Sequence, residues 1–223
     1  MLTDLAAALP LAVIPLAHAS EADVASARDP VATVTVVTPI FGQLLVLSYP
    51  EGFQGAFSSA TGSVYLQESV PVGETVDHWS QMITVTGARG LASDSHLTPQ
   101  NFVQRMAAGF KKSCPDSFST AALSDARIEG VETFGAVLSC GTAPATESSH
   151  SETALVIAIK GKQDYYTIQW AERGQVSASP MTVDAALWSA RFKQLSPIRL
   201  CPIVAGEQAP YVSCVGKAPA RSE

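Results

Sequence analysis

The chain has 223 residues, 47% of them hydrophobic and only 15% charged, with a formal net charge of -6. That suits one ordinary globular domain with a sizeable core. Its 14 Lys and Arg are scattered, Lys111-Lys112 being the only adjacent pair, so the basic stripe of a nucleic-acid-binding protein is excluded, and no internal repeat is visible.

Taken in chain order, residues 5–19 form an apolar stretch that ends in Ala17-His18-Ala19, small residues at the two positions a signal peptidase reads. A signal peptide over 1–19, cleaved after Ala19, is the expectation. The stretch is shorter than the roughly 20 apolar residues a membrane-spanning helix needs, and Pro10 and Pro15 interrupt it, so no membrane span is expected. It departs from the usual signal at its front, where Met1-Leu2-Thr3-Asp4 brings a negative charge and the first basic residue is Arg28. No cysteine follows it to carry a lipid anchor. Residues 20–30, rich in Ala, Ser and Asp, read as a flexible lead-in, and 31–216 as a single domain.

Short β-rich runs at 31–37 and 44–49 read as strands, followed by a Gly- and Ser-rich connecting segment over 52–62. Strands at 63–70 and 79–86, joined through a turn at Pro71-Val72-Gly73-Glu74, read as an antiparallel pair. Val64, Leu66 and Val70 are expected to face the core, with Gln67 and Ser69 toward water. Thr98-Pro99 then opens the clearest helix, since Thr caps free backbone N–H groups and Pro is tolerated at the first helical position. Phe102, Met106 and Phe110, with Val103 and Ala107, give it one apolar face. Lys111 and Lys112 suit its last turn, and Cys114-Pro115 stops it. Four more strands are expected at 117–123, 130–140, 153–160 and 165–172, the last two as a hairpin. A second helix over 183–195 has Thr182 as its expected cap and Val183, Leu187, Trp188, Phe192 and Leu195 as its apolar set, with Pro197 ending it. Residues 198–215 read as a loop or short hairpin bracketed by Cys201 and Cys214, and 217–223 as a disordered tail.

Four cysteines in an exported chain are a disulfide framework, because an oxidising compartment keeps thiols paired. Of the three connectivities, proximity favours Cys114 with Cys140 and Cys201 with Cys214. A metal or redox role is disfavoured, since no Cys-x-x-Cys exists and no His lies close in sequence to any of the four. The expected localisation is periplasmic or secreted.

Chemistry-bearing motifs are scarce. His96 and His150 sit beside Ser in polar loops, without a nucleophile elbow or a spatial partner that sequence can supply. Glu129, Glu132, Glu147 and Glu152 flank strands and no pair stands out as an acid and base in unlike surroundings. Gly52-Phe53-Gln54-Gly55 lacks the Lys and helix of a phosphate loop. No catalytic, cofactor or metal residue is assigned. Asp77-His78-Trp79 sets a titratable group beside an aromatic at a strand start, and Tyr165 lies on the opposite face from Tyr166, Ile168 and Trp170, so His78, Trp79 and Tyr165 are the candidate binding surface.

The order of elements predicts an α+β fold: an antiparallel sheet of six or seven strands with two main helices packed on it and a disulfide-stapled C-terminal segment. Over 44–195 the chain resembles the Mog1/PsbP type of sandwich domain, through Tyr49-Pro50-x-Gly52-Phe53, the Trp79-led strand, a helix, a meander with the aromatic strand Tyr165 to Trp170, and a closing helix with Trp188 and Phe192. The resemblance implies a binding or accessory module and carries over no catalytic residues; the cysteines depart from it. The expected function is a non-enzymatic exported protein acting through a protein partner, of immunity or secretion-accessory type. The alternative is a carrier of a small apolar ligand or lipid in a cleft near Trp79 and Phe53, and a hydrolase using His78, His96 or His150 ranks third.

Overall fold

The computed structural model describes residues 32–123, 126–128, 130–143 and 149–216. They belong to the larger of two units, Val31–Glu223; the predicted signal peptide, the lead-in, the tail 217–223 and Glu129 and Glu147 lie outside the described residues.

Among the described residues, ten strands form two antiparallel sheets. The smaller holds β1 (Thr33–Ile40), β2 (Gln43–Pro50) and β10 (Arg199–Pro202) in the order β1-β2-β10. The larger holds β3 (Phe53–Thr61), β4 (Val64–Pro71), β5 (Gln81–Ala88), β6 (Phe118–Ala122), β7 (Glu132–Ala143), β8 (His150–Lys160) and β9 (Tyr165–Gly174), ordered β3-β4-β5-β9-β8-β7-β6. Three α-helices accompany them: α1 (Pro99–Ser113), α2 (Ala185–Gln194) and the short α3 (Val212–Val215). The α+β class, the seven-stranded antiparallel sheet and both main helices match expectation.

The large sheet is buried on two sides. One face, with Ile83, Val85, Ile157, Tyr166, Ile168 and Trp170, packs on Leu45, Leu47 and Tyr49 of β2 and on Trp188 and Phe192 of α2. The other, floored by Ala136, Leu138, Ala154, Val156 and Ala158, receives Phe102, Val103, Met106 and Phe110 from α1. Small alanine side chains there let the helix lie close. This double burial explains why β7 and β8 read as nearly continuous apolar runs. α1 begins as expected, with the Thr98 side chain accepting from the Asn101 N–H at 3.1 Å and Pro99 in the first turn.

Several expectations change. Residues 52–62, read as a connection, contain β3, an edge strand whose Gly and Ser obscure its pattern. In β4 Val70 is buried as expected, but Ser69 is 3% exposed and Val64 55%, because Tyr65, Gln67 and Ser69 point between the sheets while α1 does not reach over β4. Trp79 precedes β5 rather than lying in it. α2 is capped by Asp184, not Thr182, the Asp184 carboxylate accepting from the Leu187 N–H at 3.0 Å.

The C-terminal segment gains a role. β10 pairs with β2, and Cys214 and Tyr211 cover Leu44 and Val46 on the outer face of the small sheet. All eight residues of β2 are consequently buried, which accounts for its unbroken Leu44-Leu45-Val46-Leu47. β1 and β2 thus belong to a separate sheet and not to the main one.

Candidate functional site

Both cysteine pairs form as proximity favours, Cys114 with Cys140 at a Cα–Cα distance of 5.8 Å and Cys201 with Cys214 at 5.7 Å. The first ties the end of α1 to β7, and the second ties β10 to α3.

The proposed surface of His78, Trp79 and Tyr165 does not assemble. Tyr165 is only 1% exposed: its ring stacks on Phe102 of α1 at 5.2 Å and its hydroxyl donates to the Leu97 carbonyl. The face assigned to solvent is the one that α1 covers. His78 is exposed, and Trp79 is half-buried with the Arg173 guanidinium 3.8 Å over its ring. The register of β5 on β9 runs from Gln81–Glu172 to Ala88–Tyr165, seven steps of about 3.4 Å, so Trp79 and Tyr165 lie at opposite ends of the sheet. Nor do Trp79 and Phe53 share a cleft. Phe53 meets Trp170 edge-on in the core between the sheets, and Trp79 packs on the other face. His96 is exposed, and the Nε2 of His150 stands 3.9 Å from Glu152 Oε2. No group of three or more metal-ligating side chains occurs among the described residues, and no described helix is long and apolar enough to cross a membrane.

The structure draws attention instead to the end of the large sheet at β3. Its nine residues, Phe-Gln-Gly-Ala-Phe-Ser-Ser-Ala-Thr, carry no charge and no proline, the devices that ordinarily blunt a sheet edge, although a bulge sits between Gly55 and Phe57. Seven of the nine are exposed, Phe57 by 46%. Beside β3 the two sheets stand apart. Val34 and Val36 of β1 pair with Tyr49 and Leu47, so they point inward with those core residues, yet remain 54% and 37% exposed. Between them and Phe53, Gln67 and Ser69 lies a cavity of about 260 Å³. Burial pushes the Tyr49 phenol at its inner end well above its ordinary pKa, with Tyr65 adding to the rise and Ser69 opposing it. Glu51 brings a carboxylate to the rim.

A second concavity, of about 440 Å³, lies between α1 and β7–β8, where Met106, Gly109 and Phe110 face Cys140, Ala143 and Glu152.

No protein-family model and no curated protein matches the chain. Among solved structures it is similar to the Saccharomyces cerevisiae Ran-binding protein Mog1p, over 73% of this chain and 92% of that one, at 10% identity and a TM-score of 0.44. It is also similar to the cyanobacterial PsbP protein (CyanoP) of Synechocystis, over 85% of this chain and 99% of that one, at 11% identity and a TM-score of 0.43. Both are Mog1/PsbP-fold proteins. The likeness is one of fold and carries no argument about partners or activity.

Sequence reasoning passed over β3 because Gly and Ser read as a connection. The one available signal was Phe53 and Phe57, apolar residues framing a stretch of strand length. Glu152 was noted as a lone carboxylate, since nothing in the linear order places it beside Phe110 or Arg173.

Proposed function

We propose that this is an exported, non-enzymatic binding module that takes up an extended segment of a partner protein by strand addition at β3. The observation that carries the reading is an uncharged, exposed edge strand lying beside a side-chain-sized opening between the sheets. In strand addition, main-chain hydrogen bonds along the edge supply affinity and pockets for alternate side chains supply specificity. A strand laid against β3 would direct every second residue toward Val34, Val36 and Phe53, removing apolar surface from water. The occupant is therefore an uncharged strand with an apolar residue at alternate positions, flanked by Lys or Arg to meet Glu51. Two disulfides suit an oxidising compartment and support export.

The test is a photoreactive side chain placed at Ala60 in a chain beginning at Ser20, produced in the cell envelope. The expected result is one adduct mapped to an extended, uncharged segment of one protein, with none from the same group at exposed Gln104 on α1. A synthetic peptide of that segment should bind the purified protein and lose at least tenfold in affinity for Ala56→Lys, whose melting temperature should match the parent. An adduct formed only with a second copy of this chain, or peptide binding indifferent to Ala56→Lys, would overturn the reading.

A further inference from the structure

Apart from that edge, we propose that the cleft between α1 and β7–β8 is a binding site for a small apolar amine, held by its hydrocarbon body along α1 and by its ammonium at Glu152. Its volume of about 440 Å³ falls within the range of small-molecule sites. Met106 and Phe110 form one wall, and Cys140 and Ala143 the other. Of the polar side chains at the cleft, the Ser113 hydroxyl is engaged, donating to the Gly109 carbonyl one turn back.

Glu152 is placed there by the sheet. It sits between Cys140 of β7 and Arg173 of β9 in the register, on the face that α1 covers. Its cross-strand neighbour Arg173 acts on it by charge but spends its donors elsewhere: the guanidinium lies over Trp79, and its Nη1 donates to the Asp77 carbonyl at 3.3 Å. His150 Nε2 stands 3.9 Å from the Glu152 Oε2, a long ion pair when the imidazole is protonated. The Glu152 side chain is partly buried, and loss of water raises its pKa even though Arg173 and His150 both oppose the rise. A desolvated acid at the end of an apolar wall is matched by a group that brings positive charge and N–H donors.

Gly109 is the second observation. A glycine inside a helix is unfavourable relative to alanine, and close packing is the usual reason to find one. Here a Cβ would meet nothing within 4 Å. No neighbour requires the glycine, and it lines the cleft beside Met106 and Phe110 without adding a side chain to it.

The experiment titrates the purified chain with octylamine, 1-octanol and octanoate near neutral pH, read by calorimetry and by NMR shifts of residues 106–113. Octylamine should bind saturably and at least tenfold more tightly than 1-octanol, with octanoate weakest. Glu152→Gln should abolish the preference for the amine while leaving 1-octanol affinity within twofold. Gly109→Leu, which fills the cleft and favours the helix, should abolish binding of all three at an unchanged or higher melting temperature. Equal or stronger octanoate binding, absence of saturable octylamine binding, or full binding by Gly109→Leu would each overturn the proposal. Ala56→Lys, on the distant β3, should leave all three affinities unchanged.

Discussion

Asp164 is 3% exposed, yet its carboxylate serves three separate stretches of chain. Oδ1 accepts from the Gly90 N–H at 2.8 Å after β5, and Oδ2 accepts from the Gly42 N–H at 3.2 Å in the β1–β2 turn. The buried Tyr166 hydroxyl lies 3.5 Å from Oδ2 and donates to the Ile40 carbonyl at 3.2 Å. A buried charge is tolerable only with such donors around it. Asp164→Ala strands two backbone N–H groups and should cost about 2–4 kcal/mol, read from urea unfolding. Glu152 is the opposite case, because burial raises its pKa while Arg173 and His150 pull it down. A carboxyl whose folded pKa lies above the unfolded one binds its proton more tightly when folded. Its contribution is most favourable below the unfolded pKa and is lost as pH rises through the folded value. Glu152→Gln should therefore be more stable than the parent near neutral pH, and the difference should vanish below the ordinary carboxylate range; a gap of the same size at both pH values would contradict this account. At this scale the sequence was legible where chemistry is local: the Thr98 cap could be read directly, and of three possible cysteine connectivities proximity favoured the one that forms. Tyr165 could not, since alternation along β9 separates two faces without saying that both are covered.

Elements were readable in proportion to how far their burial is one-sided. α1 has one buried face and one wet one, so Phe102, Met106 and Phe110 announce it. β3 has almost no buried face and hence no pattern. β4 has an alternation, but Val64 and Ser69 were assigned to the wrong sides because the sheet has a core on each face. The disulfides act between elements, the first pinning the end of α1 to β7 across 26 positions and the second closing 13. On the chain-entropy account each is worth about 3 kcal/mol. Replacing Cys114 and Cys140 together by Ala should lower stability by about that amount in denaturant titrations. Intact mass should show two bonds in the oxidised protein, and alkylation should label four thiols only after reduction.

For the molecule as a whole, the sequence indicated the main sheet and its helices but not that β1 and β2 leave that sheet to build another. Strand partners far apart in the chain leave no local mark: β2 lies between β1, its neighbour in sequence, and β10, which begins at Arg199. Removing everything after Pro197 would strip β10 and the covering segment from Leu44 and Val46. Such a chain should lose its cooperative thermal transition and bind a hydrophobic dye, whereas retention of a sharp transition would mean that β2 is held by the core between the sheets alone.

The pairing of β2 with β10 also sets a timetable. A chain made, or threaded through a membrane pore, from its N-terminus presents β2 near the start and its second partner only near the end. Contacts between positions so far apart close late, because the intervening loop entropy must first be overcome. Until then an apolar strand stands with one edge and one face uncovered, a state that chaperones recognise and that translocation machinery requires. If the chain is exported as proposed, late closure of the small sheet would keep it unfolded long enough to be delivered, and β10 would act as the latch.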